Sequence, residues 1–184
     1  MAATDPAIAL GHWRVVRERL YREHPQSPLP PAARATFQAA HFEHDPSLRF
    51  EGFVAPAPAT GAAAGFGPGA ETAETLAFTR IGRIAVPFAE GPRSLSVFWM
   101  TGYAGGLFIP FRDATNGNET YGAGRYLLDA AKGADLGGDP SRGTLVVDFN
   151  FAYQPSCAFD PRWACPLAPP ENRLDLAVRA GERL

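Results

Sequence analysis

Lysine is almost missing from this 184-residue chain: Lys132 is the only one, and arginine supplies the rest of the 17 basic residues. Arginine suits a two-pronged grip on carboxylate or phosphate. The accompanying excess of Ala, Gly and Pro, however, fits a GC-rich codon bias, so the arginine count alone carries no functional argument. Also lacking is any surplus of positive charge. A net charge of -2 and a pI near 6.1 give no basic field to hold nucleic acid or an anionic membrane, and neither is expected as a partner. No apolar run approaches the roughly 18 residues of a membrane helix. The opening Met-Ala-Ala-Thr-Asp-Pro has no basic start, apolar stretch or small-residue cleavage site, and the expectation is a cytoplasmic protein. Two cysteines, Cys157 and Cys165, are too few for a disulfide-dense scaffold. The length suits one domain over 1–184 with a core of its own.

The amino-terminal region reads as a helix. Asp5 is a natural N-cap and Pro6 fits the first helical position, where its missing N–H costs nothing. Leu10, Trp13, Val16 or Arg17, and Leu20 recur at helical spacing, predicting an amphipathic helix over 6–23 with Trp13 inward. Pro25, Pro28, Pro30 and Pro31 end it.

From there the pattern changes to short stretches rich in Phe, Val, Ile and Thr between Gly and Pro. Strands are predicted at 48–55, 72–79, 82–88, 94–101, 107–111, 126–129, 144–149 and 174–179. Their spacing leaves no room for crossover helices. The expected fold is therefore mainly β, an antiparallel barrel or sandwich over 48–184, with the helix packed against it or closing one end. Residues 57–69, "APATGAAAGFGPG", lack large apolar side chains and read as a mobile loop.

Polar groups crowd into "FRDATNGNETYGAGRYL", which begins at Phe111. Its glycines, Gly117, Gly122 and Gly124, open backbone angles closed to other residues, and Asp113 and Thr115 suit a turn. The constrained loop displays Arg112, Glu119, Tyr121, Arg125 and Tyr126. Arg112 and Arg125 are candidate partners for a carboxylate or phosphate, with Glu119, Tyr121, Tyr126 and Asn150 setting orientation. The same groups could instead neutralise one another across a sheet end. "GAGR" lacks the third glycine of a dinucleotide fingerprint and the Gly-Lys-Ser/Thr of a phosphate loop. No cofactor is expected.

A second unusual run, "DFNFAYQPSCAFDPRWACPLAPPENRLDLAVRAGE", places Asp148 and Asn150 on one side of an extended strand. Glu119, Asp148 and Glu182 could include a general acid and base if the sheet gathers them, which would suit a hydrolase or isomerase; Glu119 and Asp148 are the catalytic candidates. Seven residues separate Cys157 from Cys165, unlike Cys-x-x-Cys, and His12, His24, His41 and His44 all lie far upstream. No metal site is expected. The cysteines read as small buried residues or as a pair close enough to join under oxidation. A nucleophilic role would need a base such as His41 or His44.

Taken with "PFRDATNGNETYGAGRY" and "FQAAHFEHDPSLRF", this run resembles the uncharacterised bacterial and archaeal family catalogued as domain of unknown function 1684. The likeness extends from Trp13 to Glu182 and includes Arg112, Asp113, Glu119, Tyr121 and Arg125, then Asp148, Asn150, Cys157, Cys165, Asn172 and Glu182. Departures lie mainly in the first half, at "AAHFEH" and in the Ala-rich loop after Pro56. The resemblance implies relatives and no activity. The residues themselves point to a domain binding a small carboxylate- or phosphate-bearing molecule in a polar pocket. An acid/base enzyme and a ligand-free structural or interaction module stand beside it.

Overall fold

The computed structural model describes residues 5–58, 78–100, 105–129, 133–163 and 165–184. Helix α1 (Pro6–Glu23) begins as its sequence demands: the Asp5 carboxylate accepts from Ala7 N at 2.8 Å and Pro6 occupies the first turn. Its buried stripe is Leu10, Arg17 and Tyr21, with Trp13 packed on Phe151 and Tyr153 at ring distances of 5.4 and 6.1 Å. Val16 and Leu20 stay 48 % exposed. Spacing left Val16 or Arg17 open and placed Leu20 on the stripe. The helix is rotated instead so that the Arg17 guanidinium enters between aromatic rings, where it finds a buried carboxylate. A short α2 (Pro31–Arg34) follows the proline-rich connection. No helix among the described residues is long and apolar enough to cross a membrane.

Beyond β1 (Ala40–His41), the sheet is built from β2 (Arg49–Pro56), β3 (Phe78–Phe88), β4 (Gly91–Met100), β5 (Gly106–Phe111), β6 (Arg125–Asp129), β7 (Gly138–Asp139) and β8 (Thr144–Asp148). These seven strands run in the order β6-β5-β4-β3-β2-β8-β7, all antiparallel, as a curled half-barrel. The mainly β class with an amino-terminal helix is therefore as its patterning predicts. Alternation decides which face is inside: Ile84, Val86 and Phe88 of β3 are buried while Arg83, Ala85 and Pro87 are exposed. With Leu95, Val97, Ile109, Phe111, Leu127, Val147 and Phe149 they form the main core. Each such side chain, fully buried, contributes about 1.5–3 kcal/mol. A second cluster, centred on Phe78, Phe98, Phe108, Tyr126 and Tyr153, receives Trp13 and thereby seats α1.

The expected strand at 174–179 is absent as a strand. Leu174, Val178 and Ala180 do alternate into the core. The loop after β5 supplies backbone bonds to its first half, with Leu174 N donating to Arg112 O and Ala114 N to Leu176 O, and the Arg125 guanidinium takes the carbonyls of Val178 and Ala180 further on. A two-residue β9 (Glu182–Arg183) then pairs with β1, setting His41 opposite Glu182. Gly181 makes that turn possible: its φ is +77°, and a Cβ there would collide with Ala152 O and Phe149 O. Residues 72–77 of the predicted second strand, and 59–69 of the predicted mobile loop, lie outside the described residues.

Candidate functional site

The polar run after Phe111 folds inward. Arg125 is wholly buried, and its Nη atoms donate to the carbonyls of Val178, Ala180 and Glu182 and to Asp113 Oδ2. Asp113 Oδ1 in turn accepts from Thr115 N and Oγ1, and Thr115 Oγ1 meets Thr120 Oγ1 at 2.8 Å. Gly124 belongs to this closure, because at φ +104° a Cβ would lie 2.5 Å from Phe111 O. Arg112 donates to Gly122 O, and the Tyr126 hydroxyl donates to Pro166 O at 2.8 Å. These donors and acceptors face one another, and the burial of Arg125 leaves it no path to a guest.

The other expected members lie apart from them. Asn150 is buried; its Oδ1 accepts from Asp45 N, and its Nδ2 donates to Asp45 O and Asp148 Oδ1. Among the described residues, Asp148 Oδ2 has no hydrogen-bond partner and faces the Arg49 guanidinium at 3.7 Å. Glu119 lies at the surface in a two-pronged pair with Arg179, both contacts 2.9 Å, and this partner holds its carboxyl below the usual range. Glu119 and Asp148 share no hydrogen-bond partner, and Glu119 is poorly placed to hold a proton at neutral pH. Tyr121 reaches a third place, beside Cys157, where burial followed by the Cys157 hydrogen bond pushes its hydroxyl up to about 12.

A different set of charges converges under α1. Arg14, Arg17 and Tyr21, spaced by three and then four, share one face of the helix. Both Glu182 oxygens accept from Arg17, at 2.5 and 3.2 Å, and Oε2 also accepts from Gln154 N at 2.8 Å. The Arg17 guanidinium carbon lies 4.1 Å from the Tyr153 ring and 4.4 Å from that of Tyr21. Burial alone would lower the Arg17 pKa, but Glu182, Tyr21 and Tyr153 together outweigh it and raise it.

Arg14 has no such complement. Its Nε and Nη2, and His41 Nε2, are shut off from water with no hydrogen-bond partner. Burial lowers the Arg14 pKa against the opposing pull of Glu182. Burial, then the Arg14 cation, depresses that of His41. Both residues line a groove of ≈ 330 Å³ between α1 and β1, with Arg19 and Arg22 on its wall. Glu18 and Glu23 also line that wall, and Glu18 is paired with Arg22 at 2.8 Å. Sequence reasoning missed this site. The available signal was Arg14 and Arg17 falling on the helix face that also carries Leu10, Trp13 and Tyr21.

Fold and groove together define a small mainly β protein whose half-barrel carries one helix over an arginine-rich edge. The chain belongs to the family described as protein of unknown function (DUF1684), whose model matches residues 36–183. It is also similar to an uncharacterized protein of Haloarcula marismortui whose structure was determined by NMR in solution. That similarity has 33% identity and a TM-score of 0.72, over 97% of this chain and 94% of the other. No curated protein matches.

Proposed function

We propose that the protein binds a small molecule through its carboxylate or phosphate in the groove between α1 and β1. The observation that carries this reading is the meeting of two partnerless buried donors, Arg14 Nε and Nη2, with the partnerless His41 Nε2 at one groove. Leaving a buried donor unsatisfied costs about 1–3 kcal/mol, and more for a charged group. Arg14 and His41 line the groove, so an anion seated there supplies acceptors to the Arg14 donors once the side chain turns toward it, to His41 when it is protonated, and a counter-charge to a guanidinium whose neighbouring carboxylate is already engaged. The groove is near the lower end of the roughly 300–1,000 Å³ typical of small-molecule sites, so the guest is small.

The test is thermal unfolding with inorganic phosphate, sulfate or succinate added in turn. A ligand of the native state stabilises by about 2.7 kcal/mol at a hundred times its Kd. At least one of these anions should raise the midpoint of the wild-type protein and of Arg179→Gln, and lose most of that effect in Arg14→Gln. A rise that persists undiminished in Arg14→Gln, or no rise with any of the three, overturns the proposal.

A further inference from the structure

Cys157 and Cys165 lie in a proline-rich stretch that the half-barrel does not need as a layer. Two successive turns fold it back on itself: Phe159 N and Asp160 N donate to Ser156 O, and Trp163 N donates to Asp160 O. The result brings Cys165 Sγ to 3.1 Å from Cys157 N. Neighbouring contacts hold both ends of the return. The Trp163 indole donates to Pro28 O, and the Tyr126 hydroxyl holds Pro166, next to Cys165. Both cysteines are free and half-buried, within reach of a small reagent. Tyr121, from the β5–β6 loop, stands beside Cys157 close enough to perturb its thiol.

We infer that Cys157 and Cys165 form a two-thiol oxidation site, in which Cys157 attacks a peroxide and Cys165 resolves the product as a disulfide. In the first step the Cys157 thiolate forms an S–O bond as the peroxide O–O bond breaks, giving a sulfenic acid and, from hydrogen peroxide, hydroxide. In the second, Cys165 sulfur attacks Cys157 sulfur, the S–O bond breaks, and water leaves carrying the Cys165 proton. Overall two thiols are oxidised by two electrons and one peroxide is reduced to two waters.

The roles follow from the surroundings. Bonds from the Cys165 thiol and then the Tyr121 hydroxyl favour a thiolate on Cys157 and pull its pKa down to about 7, against burial. The same shared bond, and then burial, push the Cys165 thiol up. These directions make Cys157 the nucleophile, the Cys157 N–H donated to Cys165 Sγ opposes them at Cys165, and the two serine variants decide the order.

Hydrogen peroxide added to the fully reduced wild-type chain tests this. Both thiols should disappear together from each monomer, with the intact mass falling by two hydrogens and dithiothreitol restoring it. The rate should follow a single ionisation with a midpoint of about 7. Cys165→Ser should stop at a sulfenic acid captured by a 1,3-dione probe. Cys157→Ser should react about ten-fold more slowly. Tyr121→Phe, which keeps both thiols, should move the midpoint upward. Loss of one thiol per chain, cross-linked dimers, or equal rates for the two serine variants would overturn the inference. Wild-type thiol counting decides the matter even if a variant fails to fold.

Discussion

Arg125 Nη2 meets Asp113 Oδ2 at 2.9 Å, with both side chains at 0 % exposure. The same guanidinium binds the carbonyls of Val178, Ala180 and Glu182, so one side chain from β6 ties the loop after β5 to the carboxy-terminal segment. Removing one partner of such a pair leaves the other charged in a site without water, at a cost of about 3–5 kcal/mol. Arg125→Met should lower stability by about that much, and adding Asp113→Asn should return part of it. Urea titrations of the wild type, single and double variants measure both effects. An unchanged midpoint for Arg125→Met would dismiss the pair as a structural tie.

The Glu119–Arg179 pair has nearly the same geometry and the opposite setting. Its arginine side chain is 63% exposed, and solvent screens the attraction. Glu119→Gln should leave the thermal midpoint at neutral pH within scatter. The sign is fixed by the partner: Arg179 lowers the Glu119 pKa on folding. Any stabilisation is therefore present above the ordinary carboxylate range and fades as pH falls through the folded value. Melting curves of wild type and variant should converge in acid. A large difference at neutral pH that outlives acidification would mean that Glu119 supports the fold by another route.

Asn172 repairs a gap in the sheet. Pro110 in β5 has no N–H to offer Ser96 of β4, and the Asn172 amide takes the missing place. Its Oδ1 accepts from Ser96 N at 2.7 Å, while Nδ2 donates to Ser96 O and Pro110 O at 3.0 and 2.8 Å. Asn172→Ala should cost about 3 kcal/mol, since each stranded buried group carries roughly 1–3 kcal/mol. Asn172→Asp should be no better, because a carboxylate has no hydrogen to offer two carbonyls. Chemical denaturation of both variants checks this. Rescue by aspartate would contradict the assigned orientation of the amide.

What could be read in the chain beforehand divides along physical lines. Alternation in β3 and the cap at Asp5 are local signals, and they were legible because burial and capping act within a few residues. Leu174, Leu176 and Val178 alternate as a strand does, yet periodicity reports only which side is inside. Whether a neighbouring backbone or the Arg125 guanidinium supplies the hydrogen bonds is a tertiary matter. Polar density in 111–128 likewise marked an unusual place without distinguishing a ligand grip from internal ties. Arg14 and His41 are 27 residues apart in sequence and share a groove where α1 lies beside β1, to which β9 also carries Glu182. No local pattern contains that pairing.

The acid dependence of anion binding follows from His41. Burial and then the Arg14 cation lower its pKa in the free protein, with Glu182 opposing. An imidazole depressed on folding contributes stability above its unfolded value of about 6.5, and that stability is lost as pH falls toward the folded value. A sulfate seated between Arg14 and His41 reverses the balance, because the added negative charge favours imidazolium. By linkage, sulfate must then bind more tightly as pH falls through the imidazole range, while remaining a dianion itself. The gain should be about three- to ten-fold, since each unit of pKa change is worth tenfold in affinity. His41→Ala should bind with a flat pH profile, and Arg14→Gln should bind weakly throughout. Calorimetric titration of sulfate at several pH values between neutrality and mild acid measures all three. A wild-type affinity that does not change with pH would separate His41 from the anion and leave Arg14 as its sole anchor.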